Sequence, residues 1–247
     1  MKKYDIDTYH KLGEGAAFYL EESFISINYA LSGDYSTIIF TQLIKDIDVT
    51  NFDKEILQKS SVPSETLDLL QKEIGDVLSN ETVTKLHHAL QTAKTLARSS
   101  SHKFNKNHQV ESIYIIGHIT NFAFFIEVLI NRHLLYLNHS KIIDDFSYKQ
   151  ISSARILDRI IYIFKNQVIE NNINLTEIKS LFQLRNKAVH FTPENSKNLK
   201  IKISQLIKTW DQSRKVIMAL ERIEKFNEHK FSELILNYKS DFQKLWT

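Results

Sequence analysis

"IYIIGHITNFAFFIEVLINRHLLYL", residues 113–137, decides the fold class. It is the most apolar run in the chain and is long enough to cross a bilayer as a helix. Glu127 and Arg132 lie well inside it, however, together with His118 and Asn121. Charges at that depth in lipid cost several kcal/mol each. The run is therefore expected to be a buried core helix of a protein with no membrane partner.

Working outward, apolar residues recur at three- and four-residue steps almost everywhere, the pattern of amphipathic helices. Strand-rich folds need turn residues at short intervals, and the 247 residues contain only five Gly and two Pro. The expectation is an all-α helical bundle. Helices are predicted at about 9–32, 35–47, 64–78, 81–99, 110–138, 148–170, 175–191 and 197–245, the last broken. The polar stretch "RSSSHKFNKNHQ", residues 98–109, has no period and marks the expected boundary between an N-terminal helical segment (1–105) and a C-terminal helical domain (106–247). Gly13 and Gly15 follow no strand, so they are no nucleotide-binding fingerprint and suit a helix start or a close helix contact.

Composition narrows the chemistry. The absence of Cys removes disulfides, thiolate metal sites and cysteine nucleophiles, and suits a reducing, cytoplasmic setting. The two lysines at the start have no apolar segment behind them, so a secretory signal is not expected. Ten His prompt a check for metal, but none pair at metal-ligand spacing: His87 and His88 are adjacent, and His102 and His108 lie in the polar link. No metal and no cofactor is expected. His118 and Asn121 suit satisfied core polar groups, while Tyr114, Phe122, Phe124 and Phe125 suit core by spacing. The net charge of +3 hides an asymmetry. Residues 1–140 hold 13 basic against 17 acidic side chains, and residues 141–247 hold 19 against 12. A basic half suits a polyanion such as RNA, or simply keeps helix faces wet.

A second stretch, "LFQLRNKAVHFTPE" at residues 181–194, carries the chemistry. Asn174 with Glu177 three residues later forms a capping box that starts its helix. Leu175, Ile178, Leu181, Phe182, Ala188 and Val189 define the apolar arc, and Arg185 falls inside it. Pro193 ends the helix and leaves His190 in its last turn, where the dipole favours the protonated ring. A buried guanidinium cannot shed its proton, so Arg185 must find a carboxylate, a second subunit or a phosphate.

At these residues the chain resembles the HEPN superfamily, helical proteins whose ribonuclease members carry Arg, a polar residue, a short spacer and then His. Here that is Arg185, Asn186 and His190. Glu127 and Asn131, four residues apart in the core helix, resemble a second family feature. The likeness spans roughly 110–225. Two other Arg–His pairs of similar spacing occur, Arg132 with His139 and Arg222 with His229. The latter lies among Glu221, Glu224, Lys225 and Glu228 and suits a solvated face, and the surroundings of Arg185 favour it over both.

The resemblance implies a metal-independent endoribonuclease, of the toxin or anti-phage kind, for which an antitoxin protein is a candidate partner. His190 would be its general acid/base, Arg185 its charge stabiliser, Asn186 an orienting group and Glu127 a brace. Lys187, Lys197, Lys200 and Lys202 would add RNA phosphate contacts. Residues five apart in a helix point about 140° from each other, so Arg185 and His190 reach one phosphate only through a distorted turn or a cleft. A homodimer with a composite site is what the resemblance implies. The alternatives are a non-catalytic scaffold binding RNA or protein, and a partner subunit of a nucleotidyltransferase-type antitoxin.

Overall fold

The computed structural model describes residues 3–45, 80–99, 102–110, 114–164, 173–190, 199–224 and 230–247. Among them are eight helices and one minute sheet, in the order α1 (Lys3–Leu43), α2 (Asn80–Ser99), β1 (Gln109–Val110), α3 (Ile115–His139), α4 (Asp145–Ser152), α5 (Ile156–Phe164), α6 (Leu175–Val189), β2 (Ile201–Lys202), α7 (Ile203–Ile223) and α8 (Phe231–Trp246). The all-α helical bundle expected from the sequence is the observed class. No described helix is long and apolar enough to cross a membrane.

The apolar run beginning at Ile115 is α3, and it is the centre of the bundle. Ile119, Phe122, Ala123, Phe125 and Ile130 are wholly buried. The same core takes in Leu20, Phe24, Ile27 and Leu31 of α1, Ile160 of α5, Ile178 of α6, Trp210 of α7, and Phe231 and Phe242 of α8. The first helix of the segment set apart at 1–105 thus shares its core with the rest of the chain. It lies close to α3 at Gly117, where an added Cβ would stand 2.8 Å from Ser26 Oγ.

Local chemistry explains the departures from the expected boundaries. Helices at 9–32 and 35–47 are one helix, α1, running through Gly33. Helical residues on both sides outweigh the roughly 1 kcal/mol cost of one interior glycine. Gly13 and Gly15 also lie inside α1, so they mark no helix start. An added Cβ at Gly15 would meet nothing, so that glycine makes no close contact either. The helix expected at 148–170 starts earlier, because Asp144 caps it by accepting from Ser147 N at 2.7 Å. It then breaks where the Ser152 and Ser153 hydroxyls donate to the carbonyls of Lys149 and Gln150, ending α4 before α5 begins. The long C-terminal run breaks between α7 and α8. The helix expected at 64–78 lies outside the described residues.

The described part of the polar link, from His102, packs against the bundle. His102 stacks on Tyr35 with centroids 4.2 Å apart, and Phe104 is buried. His108 Nε2 lies 2.9 Å from Asp34 Oδ2. Val110 then pairs with Ile201 in the two-stranded antiparallel sheet, so α3 begins at Ile115 instead of 110.

Candidate functional site

Helix α6 is positioned by its cap. Asn174 Oδ1 accepts from Thr176 N at 3.0 Å, as the capping signal requires. The other half of the expected box is supplied differently: the Asn174 backbone N–H donates to Gln212 Oε1 of α7 at 2.9 Å, docking the start of α6 on its neighbour. Ile178, Leu181, Phe182 and Ala188 bury the helix against the core. Val189 was expected on that arc but is 56% exposed.

Arg185 sits at the margin of the arc, its side chain 26% exposed. Its guanidinium carbon lies 5.0 Å from the centroid of the Phe124 ring, which in turn leans on Tyr19 of α1. Phe124 is thus half-buried and works as a platform for a cation, while Tyr114, also expected in the core, is 54% exposed beside Tyr29. Arg185 Nη2 is 3.7 Å from Glu127 Oε2, and Nη1 donates to Asn186 Oδ1 at 3.2 Å. Arg185 Nε is shielded from solvent and finds no hydrogen-bond partner among the described residues.

His190 is the residue that ends α6, with φ −98° and ψ 49°, and its backbone N–H donates to the Asn186 carbonyl at 3.1 Å. Its side chain is exposed, as are Asn186 and Lys187. Arg185, Asn186, Lys187 and His190 therefore share the last turn of one helix, with Glu127 brought to them by α3. Lys202 lies on β2 and the exposed Lys200 just before it, away from α6 in the chain. Lys197 and Pro193 lie outside the described residues.

Sequence reasoning missed Arg159 on α5. Its Nη1 is 3.7 Å from Glu127 Oε1 and donates to Asn131 Oδ1 at 2.6 Å, while Nε donates to the Ala154 carbonyl at 2.8 Å. Glu127 is thus shared between two arginines, and Asn131 holds the second. The signal was present: Arg159 completes the Ile156, Ile160, Ile163 face at helical spacing, the same intrusion of charge into an apolar stripe that singles out Arg185.

The competing pair built on Arg132 is a different kind of feature. Arg132 is 3% exposed and His133 fully buried. Arg132 Nη2 donates to Glu224 Oε2 at 2.6 Å, Tyr9 Oη donates to the same oxygen at 2.6 Å, and His133 Nδ1 lies 3.0 Å from Glu224 Oε1. The guanidinium is sandwiched between the Tyr9 and Phe231 rings at 4.7 and 5.3 Å. Burial alone would raise the Glu224 carboxyl pKa, but the His133 hydrogen bond and the Arg132 charge outweigh it and hold the pKa below its ordinary value. Burial and the same carboxylate push the Tyr9 phenol upward. With Arg132 3% exposed and its guanidinium against Glu224, this is an internal tie. It also corrects the expectation that Glu224 lies on a solvated face: Glu224 is four residues past Leu220 and continues the buried stripe of α7.

His118 is the other buried histidine among the described residues. Its Nδ1 lies 2.8 Å from Ser23 Oγ and 3.0 Å from the Ser23 carbonyl, and burial pushes its pKa down to about 4. It is a satisfied core group. Among the described residues no cluster of three His, Asp or Glu side chains is placed to hold a metal ion. No protein-family model, curated protein or solved structure matches the chain.

Proposed function

We propose that the chain is a metal-independent endoribonuclease whose working residues are Arg185 and His190. The observation that carries this is the state of Arg185. A guanidinium offers five N–H donors in a fixed fork. Among the described residues one is engaged at hydrogen-bond distance at Arg185, by Asn186, and the carboxylate beside it stays 3.7 Å away. The group is held in place by a ring face, yet it keeps donors for an oxyanion. An exposed histidine ends the same helix, and the resemblance to HEPN ribonucleases rests on the same residues.

In the proposed reaction an imidazole removes the proton of the RNA 2′-hydroxyl, whose oxygen attacks the adjacent phosphorus. The bond from phosphorus to the 5′-oxygen breaks, and that oxygen takes a proton from an imidazolium. The products are a 2′,3′-cyclic phosphate and a 5′-hydroxyl, and DNA, lacking the nucleophile, is no substrate. Arg185 stabilises the charge gathering on the phosphoryl oxygens. Two proton transfers call for two imidazoles, so the reaction is assigned to a homodimer whose two-fold axis brings a pair of His190 side chains to one groove. Lys187, exposed on the same last turn of α6, adds a sequence-blind phosphate contact. A toxin or anti-phage role, with an antitoxin protein as candidate partner, is what the family likeness suggests.

A mixed RNA pool incubated with chelator is expected to be cut by the wild type, leaving cyclic phosphate ends, and left intact by His190→Ala and Arg185→Ala. Undiminished cleavage by either variant would sink the proposal. A non-catalytic scaffold is the alternative that one contact favours, the Glu127–Arg185 pair itself, which can serve stability alone.

A further inference from the structure

We infer that Arg159 is a positioning residue that keeps the Arg185 cluster cationic by sharing Glu127, making it a receptor for one phosphoryl anion. The inference rests on the ribonuclease proposal for the identity of that anion, but its test does not.

The two arginines are held very differently. Arg159 is 12% exposed and anchored by short hydrogen bonds to the Ala154 carbonyl and Asn131 Oδ1, 2.8 and 2.6 Å. It is a fixed part of the scaffold. Arg185 is 26% exposed, with one hydrogen bond at 3.2 Å and a ring beneath it. The carboxylate between them touches both at 3.7 Å, beyond hydrogen-bond length in each case. Glu127 thus presents one oxygen to each guanidinium and neutralises neither alone.

Charge arithmetic gives the consequence. Arg185 with Glu127 alone is a neutral pair, and an incoming phosphate would meet a carboxylate as well as a guanidinium. Adding Arg159 leaves one positive charge over. Because Arg159 is the immobile partner, Glu127 can turn fully toward it when an anion arrives, releasing Arg185 Nη2 to that anion. Arg159 acts through Glu127 and does not itself touch the ligand.

The test uses the full chain and two probes, a non-cleavable 2′-O-methyl RNA oligonucleotide followed by fluorescence anisotropy and inorganic pyrophosphate followed by thermal shift. Arg159→Gln should weaken oligonucleotide binding roughly tenfold, lower its salt dependence and shrink the pyrophosphate shift. The double variant Arg159→Gln/Glu127→Gln, which restores the single positive charge, should recover to within about threefold of wild type. A merely structural role for Arg159 predicts no such rescue. Wild-type binding by Arg159→Gln, or a double variant no better than the single one with both probes, overturns the inference. If the wild type cuts no RNA while pyrophosphate keeps the loss-and-rescue pattern, the ribonuclease proposal fails and this one stands.

Discussion

Arg132 Nη2 and Glu224 Oε2 meet at 2.6 Å with both side chains withdrawn from water, although 92 residues separate them. Each offsets the other's burial. Removing one leaves the other's charge in an apolar setting without its ion-pair partner, which costs about 3–5 kcal/mol. Arg132→Ala and Glu224→Ala are each expected to lower the unfolding free energy by that amount in urea titration. A change below about 1 kcal/mol would show the pair to be incidental.

The Arg185 end of α6 should behave in the opposite sense. His190 is exposed and ends the helix, so His190→Ala is expected to change stability by no more than about 1 kcal/mol. RNA cleavage should fall by roughly a hundredfold or more, the worth of a general acid/base. If instead Arg185→Ala costs several kcal/mol in urea and no cleavage exists to lose, the cluster serves as a scaffold.

Acid sensitivity follows from His118. Its pKa of about 4 in the folded chain lies below its ordinary value of 6.5, so the unfolded chain binds the proton more tightly. The His118 contribution is therefore complete above about pH 6.5 and declines as pH falls toward 4, by about 3 kcal/mol. Glu224 adds a loss in the same direction once pH falls below the ordinary carboxylate value, since its folded pKa is also depressed. His118→Asn should flatten the decline between pH 6.5 and 4 and leave the more acidic one. Equal slopes in variant and wild type would contradict the assignment.

Gly117 sets the approach of α1 to α3. With Ser26 Oγ 2.8 Å and Ser26 Cβ 3.2 Å from where a Cβ would stand, Gly117→Ala is expected to cost about 1–3 kcal/mol despite its gain in helix propensity. Adding Ser26→Gly should recover most of that loss in thermal melts. A Gly117→Ala protein more stable than wild type would mean that the helices part easily.

The helical class is legible in the sequence because few residues allow turns and the apolar spacing is helical throughout. The core role of α3 is legible because Glu127 and Arg132 forbid a bilayer. Local competition is less so: the Ser152 and Ser153 back-bonds that end α4, and the transfer of the Asn174 cap bond to Gln212, depend on geometry that periodicity does not encode. Of the site, Arg185 and Glu127 could be named because each charge interrupts an apolar stripe. Arg159 and Glu224 carry the same mark, but on short or terminal stretches, where one charged residue reads as the end of the stripe. Which carboxylate meets which arginine is a tertiary fact: Arg132 takes Glu224 and leaves Glu127 to the other two.

That division of partners puts demands on α3 from opposite sides. Glu127 and Asn131 engage α5 and α6, while Arg132 and His133, the next residues along, engage Glu224 at the end of α7. A purely greasy helix can roll or slide in its socket at little cost, but this one is keyed like a shaft with teeth on both flanks. Any rotation that improved one set of contacts would unmesh the other, so the Glu127 carboxylate inherits its aim from a salt bridge it never touches.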